Sequence, residues 1–252
     1  MKEKLLFKIF ELQNFFLRKK NFNKPKVFVY TDSRGFNFKP KGGKTPFGSY
    51  VGKLSLDYNL TYRICPERHT TIVDFMQYSA KASLSNFDVV ILHCGVVDFS
   101  PRPVRNIEKV LAGKINNPVF NALKQENKTH YENASHLLYN NEKTTTLYSE
   151  KYFISRVIPA LSSIQNLVWI NSNHFVTGWD GNYKNGRPMN IDETVDSYDK
   201  LLSERLPHII SLKNWDNGEI KKYTIDNIHF SREGFDILYK TIKNKIEELT
   251  KN

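Results

Sequence analysis

Apolar residues fall into five short runs along the chain: Val27–Tyr30, Leu60–Ile64, Val89–His93, Leu167–Asn171 and Ile209–Leu212. Val89-Val90-Ile91-Leu92 and Leu167-Val168-Trp169-Ile170 are continuous rather than alternating, the pattern of strands covered on both faces, as in a parallel sheet. Between the runs the period lengthens to that of helices. Thr70–Ser83 and Glu193–Leu206 carry helical patterns, and Phe235–Leu249 repeats apolar residues on one face behind Ser231 as cap. Tyr152–Ile164 is also helical in spacing, with Pro159 expected to kink or break it. Strand alternating with helix predicts a doubly wound α/β sheet.

Two stretches interrupt this alternation. Residues 101–148 read as a long insertion, part helical, with a polar centre rich in Asn, Lys and Thr. Residues 173–192 read as a loop with Gly, Pro and aromatic residues. No linker or repeat divides the chain, so residues 23–252 are expected to form one domain carrying the insertion at about 101–148. The first 22 residues form a separate amphipathic helix. Its apolar positions (Leu5, Leu6, Phe7, Ile9, Phe10, Leu12, Phe15, Phe16, Leu17) are interrupted by Lys8, Glu11, Gln13 and Asn14. There is no continuous apolar core or small-residue cleavage site, so it does not read as a signal peptide, and it is too interrupted to span a bilayer. Packing on the domain and docking on a membrane surface both fit that pattern. The expected location is the cytoplasm, with contact at the inner membrane as the alternative.

Composition narrows the choice. With 252 residues, 40% of them hydrophobic, the chain can bury a substantial core. Cys65 and Cys94 make neither a disulfide framework nor a metal-ligand spacing. His69, His93, His130, His136 and His208 likewise show no ligand spacing, and no metal or cofactor is expected. The net charge of +11 attracts anionic partners, yet no zinc finger, RNP-like segment or helix-turn-helix points to specific nucleic-acid binding. Gly42-Gly43-Lys44-Thr45 resembles the end of a phosphate-binding loop, but Phe38 stands where that motif needs glycine.

In an open α/β sheet, ligands bind beyond the carboxyl ends of the strands. Ser33 lies just past the first run, Gly95 and Asp98 past the third, Asn171, Asn173 and His174 past the fourth. Near the C-terminus stands Asp226-Asn227-Ile228-His229-Phe230-Ser231-Arg232-Glu233-Gly234. A serine hydroxyl needs a base to become a nucleophile, His is the usual base near neutral pH, and an acid can hold its ring in the right tautomer. Read alone, Asp226 and His229 also fit an ordinary helix start.

Together these segments resemble the SGNH/GDSL hydrolases. Thr31-Asp32-Ser33 stands for that family's Gly-Asp-Ser block, and Asp226, His229, Ser231 and Gly234 match its last block. Gly95-Val96-Val97-Asp98 matches Gly-x-Asn-Asp in part. The resemblance implies a flavodoxin-like three-layer α/β/α sandwich on a mainly parallel five-stranded sheet. It also implies Ser33 as nucleophile, His229 as base and Asp226 as the acid orienting it. Two oxyanion positions depart from the family: Arg68 or a neighbour from Pro66 to His69 replaces a glycine, and Val97 or Asp98 replaces the asparagine. A protonated Asp98, a donor from Arg102, Arg105 or His174, or backbone N–H groups could substitute. The implied activity is a bacterial serine esterase removing an O-acyl group, O-acetyl first, from a carbohydrate or a cell-envelope glycan. Trp179, Asp180, Tyr183 and Arg187 could line the sugar site. Acyl transfer to a sugar, and non-catalytic glycan binding in polysaccharide assembly, are the alternatives.

Overall fold

The computed structural model describes residues 2–38 and 43–251. The five apolar runs form one sheet of strands β1 (Lys26–Thr31), β2 (Asn59–Ile64), β3 (Val89–His93), β4 (Leu167–Ile170) and β5 (His208–Ile210). Their order is β5-β4-β3-β1-β2, and every neighbouring pair is parallel. The chain therefore winds outward in both directions from β1, and the carboxyl ends of β1 and β3 flank the switch point where ligands of such sheets bind.

The continuous apolar runs follow from a sheet with a core on each face. Val27, Val29, Val89, Ile91, Val168 and Ile170 pack with helices α2 (Tyr50–Asp57) and α5 (Arg232–Thr250). Their alternates Phe28, Tyr30, Val90, Leu92 and Trp169 pack with α3 (Thr71–Ser79) and α4 (Ile191–Ser203). Successive side chains of a strand point to opposite faces, so every position must be apolar. This is the three-layer α/β/α arrangement. The fourth run closes on Asn171, whose N–H makes the last ladder bond, to Ile210 O at 3.3 Å. Its side chain accepts from Leu212 N–H at 2.7 Å and donates to Ser211 Oγ at 3.3 Å, which ends β5 as well.

The helical stretch around Pro159 is not broken. It runs from Glu150, capped by Ser149, through a π turn at Phe153–Val157 and on through Ile158–Ser162. The wider turn lies just before the proline, where the missing N–H would otherwise leave a gap in the ladder.

The insertion is more ordered than its polar composition predicts. It holds helices Val104–Ala112, Pro118–Glu126 and Lys128–Glu132 and a three-stranded antiparallel sheet of Arg102–Pro103, Glu142–Thr145 and Ser135–Tyr139. Asn140 and Asn141 turn the hairpin with φ of 53° and 61°, the left-handed pair that suits the twist of a two-residue hairpin. Phe120, Leu123, Tyr131 and Tyr148 tie the insertion to the core over α3 and α4.

Helix α1 (Lys2–Lys20) lies along β2, the edge of the sheet. Phe10 is buried between Phe47 and Tyr62, with ring centroids 5.0 and 5.2 Å away, and Asn14 Nδ2 donates to Leu60 O at 3.0 Å. The helix covers an edge that would otherwise present unpaired backbone groups.

Candidate active site

Beyond β1, the segment Thr31-Asp32-Ser33-Arg34-Gly35 makes a single tight turn of 3-10 helix over Ser33–Gly35. Asp32 N–H donates to His93 O at 3.1 Å, carrying the β1–β3 pairing one residue past the strand. Asp32 Oδ1 accepts Arg34 N–H at 2.9 Å, which caps the turn. The Arg34 guanidinium folds back on the same carboxylate, with Nε 3.0 Å from Oδ1 and Nη2 3.0 Å from Oδ2. Both side chains are 2% exposed. Burial works against the charge of Arg34, but Asp32 outweighs it and holds the guanidinium pKa above its ordinary value. Gly35 is required, because a Cβ there would stand 2.4 Å from Thr31 Cγ2. Ser33 is left half-buried at the carboxyl edge of the sheet, and among the described residues its N–H donates to no protein acceptor.

The second half of the site is a loop before α5. Thr224 and Phe230 form an isolated antiparallel bridge, and Ile225 N–H donates to His229 O at 2.7 Å, closing the segment between them. Asp226 Oδ1 accepts the backbone N–H groups of Ile228 (3.1 Å) and His229 (2.7 Å). Its Oδ2 lies 2.7 Å from His229 Nδ1, and His229 Nε2 lies 2.9 Å from Ser33 Oγ. Asn227, at φ 65°, braces the loop: its carbonyl accepts from Asn173 Nδ2 and its side chain from Val176 N–H. Ser231 caps α5 by accepting from Gly234 N–H, and Gly234 allows the close approach because a Cβ would sit 2.0 Å from Tyr223 O. The ring of Phe38 meets His229 edge-on with centroids 4.4 Å apart.

The chemistry of this line follows from its donors and acceptors. A carboxylate can only accept, so His229 Nδ1 carries the proton toward Asp226 and Nε2 presents its lone pair to the Ser33 hydroxyl. Burial pushes the Asp226 pKa up, but hydrogen bonds and charge from His229, with the two backbone N–H groups, outweigh it and hold it below the ordinary carboxylate value.

The other residues singled out in the sequence lie in different surroundings. Asp98 is fully buried at the start of α3. Its Oδ2 accepts Thr71 N–H at 3.1 Å and the Thr71 hydroxyl, and its Oδ1 accepts Ile72 N–H at 3.1 Å and the Tyr148 hydroxyl at 2.7 Å. Burial pushes its pKa up to about 7 against the hydrogen bonds of Thr71 and Tyr148. The Gly95 N–H is also taken, by Thr71 Oγ1 at 3.1 Å. The expectation that Gly95 and Asp98 serve the oxyanion is therefore corrected: both are occupied in anchoring α3. Val97, the other candidate for the asparagine's place, is half-buried against the core and has no side-chain donor. Arg68 is exposed in the loop after β2. His174 lies half-exposed 3.3 Å from Asp192, and Arg105 pairs with Glu142 at 2.7 Å. Arg102 is half-buried at the start of the insertion, with Nε shielded and unbonded. Gly42 lies outside the described residues, and Lys44–Thr45 pair with Asn37–Phe38 in a short antiparallel ladder, not a phosphate loop. Among the described residues, no group of three or more His, Cys, Asp or Glu side chains could hold a metal ion.

Two neighbours of the triad have no such place in the sequence reading. Phe38 bounds the His229 ring, and Arg187 Nη2 donates to Asp226 O at 2.5 Å. The sequence pattern suggests for Arg187 only the lining of a sugar site.

With this geometry in place, likeness to solved structures becomes informative. A lipase/acylhydrolase from Enterococcus faecalis superposes with a TM-score of 0.53 at 14% identity, over 89% of this chain and 96% of that one. The chain has an SGNH/GDSL hydrolase-like fold. A member of the lipolytic G-D-S-L family from Veillonella parvula is also similar, with a TM-score of 0.44 at 10% identity over 87% of this chain and 96% of that one. No protein-family model matches the sequence, and no curated protein matches it. In this SGNH-like fold the parallel sheet delivers Ser33 from its first strand and His229 from its last loop.

The lowered pKa of Asp226 makes a stability prediction. Its contribution is complete above the ordinary carboxylate value and is lost as pH falls through the lower native value. Asp226→Asn is expected to lower the urea midpoint at neutral pH, with the gap to wild type closing near about pH 2, below the ordinary range. A gap unchanged across that window contradicts the assignment.

Proposed function

We propose that the protein is a serine esterase that removes an O-acyl group, in the first instance O-acetyl, from a carbohydrate of the bacterial cell envelope. The observation that carries this reading is the continuous line from Asp226 through His229 to Ser33, with contacts of 2.7 and 2.9 Å. Ser33 Oγ attacks the ester carbonyl while His229 Nε2 takes its proton. Asp226 holds the ring and stabilises the imidazolium. His229 then returns the proton to the departing sugar oxygen, leaving an acyl group on Ser33. A water, activated by the same nitrogen, releases it. The loop bearing Trp179 and Tyr183 supports a carbohydrate as the leaving group, since its aromatic rings stand among polar residues.

The oxyanion is served differently from the attack. Ser33 N–H, at the start of its turn, is free to donate among the described residues. Val97 adds nothing, and losing one such donor costs on the order of 3 kcal/mol of transition-state stabilisation. A slow esterase follows. The same feature motivates the second reading, a glycan-binding protein without turnover. Acyl transfer differs only in that a sugar hydroxyl replaces water in the second half.

Hydrolysis of p-nitrophenyl acetate and of acetylated monosaccharides tests the first reading. Ser33→Ala and His229→Ala are each expected to lower kcat/KM by about a thousandfold or more. Wild type no faster than either variant leaves glycan binding as the function. A second variant tests the oxyanion account: Val97→Asn is expected to raise kcat by about tenfold or more, because it restores a side-chain donor. An unchanged kcat shows that the oxyanion is held elsewhere.

A further inference from the structure

Two arginines, Arg187 beside Asp226 and Arg102 on the insertion, have shielded Nε atoms with no hydrogen-bond acceptor among the described residues. The Arg187 side chain is 11% exposed, lies over the ring of Tyr183 at 4.3 Å, and has Asp180 at 3.7 Å as a long, solvent-facing partner. Its one close hydrogen bond goes to the carbonyl of Asp226, not to a carboxylate. Arg102 stands at the start of the insertion with Arg187, Tyr139 and Tyr183 among the ionisable groups around it, and its own Nε is likewise without an acceptor. The Tyr139 hydroxyl, on the hairpin, donates to the carbonyls of Asn185 and Gly186 at 3.2 Å each, fastening the insertion to the loop that bears Arg187. Burial lowers the pKa of both arginines, and Arg187 lowers that of Arg102 further. His69 adds a shielded, unbonded Nδ1, its pKa pushed down to about 4 by burial and Arg102. Desolvated cations facing one another are costly unless an anion joins them. Guanidinium forks match carboxylate and phosphate oxygens.

We propose that Arg102 and Arg187, walled by Tyr139 and Tyr183, form a subsite for an anionic group, carboxylate or phosphate, carried by the sugar whose ester is cleaved. The substrate class is then an acylated acidic glycan. This rests on the esterase reading, but binding can be measured without turnover. In the Ser33→Ala protein, glucuronate or glucose 6-phosphate is expected to give saturable NMR shifts, with glucose giving none in the same range. The better of the two identifies the anion. Arg102→Gln, or Arg102→Lys if the first does not fold, is expected to weaken that binding about tenfold, near 1.4 kcal/mol. Charged sugars binding no better than glucose, or binding unchanged in the Arg102 variant, overturns the subsite. Loss of turnover with binding intact overturns only the esterase reading.

A separate observation concerns α1. Leu5, Ile9, Leu12, Phe15 and Phe16, with Phe22 just beyond, are between 46% and 68% exposed. At 3.6 residues per turn, Leu5, Ile9, Leu12 and Phe16 fall in a sector of about 60°, about 100° or more from the buried Phe10 and Asn14. The helix has two apolar faces, one spent on the sheet edge and one open. Exposed Lys8 and Lys19 flank the open face on one side and Lys20 on the other, and the helix carries six cationic side chains against two glutamates. Like charge on both partners opposes pairing with a second copy and favours anionic lipid. No described helix is long and apolar enough to cross a membrane, so the contact is peripheral.

We infer that this face docks the protein on an anionic lipid surface. Phe7 of α1 packs on Phe36, at the end of the Ser33 turn, with centroids 5.3 Å apart, which ties the docking helix to the site. Flotation with phosphatidylcholine vesicles, with and without phosphatidylglycerol, tests this. Wild type is expected to float only with the anionic vesicles, and Phe15→Ser/Phe16→Ser and Lys8→Glu/Lys19→Glu are each expected to reduce bound protein about tenfold. Wild type that stays in solution with anionic vesicles overturns the proposal, as does a wild-type dimer that these variants dissociate.

Discussion

The buried pair of Asp32 and Arg34 is the interaction on which the site depends. It sits where β1 ends and sets three things together: the cap of the Ser33 turn, the pairing of Asp32 with β3, and a link from Arg34 Nη1 to Ser172 Oγ at 3.3 Å beyond β4. Ser172 is held in turn by Asp199, whose pKa is pushed up to about 6 by burial against the charge of Lys213. A chain of polar groups therefore runs beneath the carboxyl edge of the sheet, in an otherwise apolar interior. Removing one member of such a pair strands the other, at a cost of about 3–5 kcal/mol. The cap fixes the backbone from which the Ser33 side chain meets His229.

Against this fixed point the C-terminal loop supplies His229, hydrogen-bonded to Ser33. Its hold on His229 is local, through Asp226, and its placement is not. Asn173, Val176, Trp179 and Arg187 all bond to Asp226 or Asn227, so the loop after β4 positions the loop before α5. The long loop of residues 173–192 is thus part of the site's frame, and the hairpin fastened to it by Tyr139 extends that frame into the insertion. Asp226, His229 and Ser33 stand in one hydrogen-bonded line, whereas Gly95 N–H and the Asp98 carboxylate are held by α3.

Much of this is legible in the sequence. The continuous runs announce a two-faced sheet because burial on both sides leaves no polar alternation. Asp226 and His229 are legible because they lie three residues apart on a local loop, and Ser33 because it follows a strand. Asp98 is easily misread because its partners Thr71, Ile72 and Tyr148 come from distant segments, and no neighbouring residue shows that its carboxylate is already bonded. Asn140-Asn141 passes for polar filler, although two residues tolerant of positive φ between Leu138 and Lys143 are a hairpin signal. The orientation of α1 depends on which of its two apolar faces meets Tyr62 and Phe47, and periodicity does not choose between them.

The central claim is that Ser33 is a nucleophile activated by His229. The most direct test treats the native protein with a fluorophosphonate and maps the adduct by peptide mass spectrometry, with His229→Ala alongside. The account predicts a single phosphonyl group on Ser33 in the wild type and little or none in the variant. An adduct on another residue, or labelling of Ser33 that is as fast without His229, would contradict it.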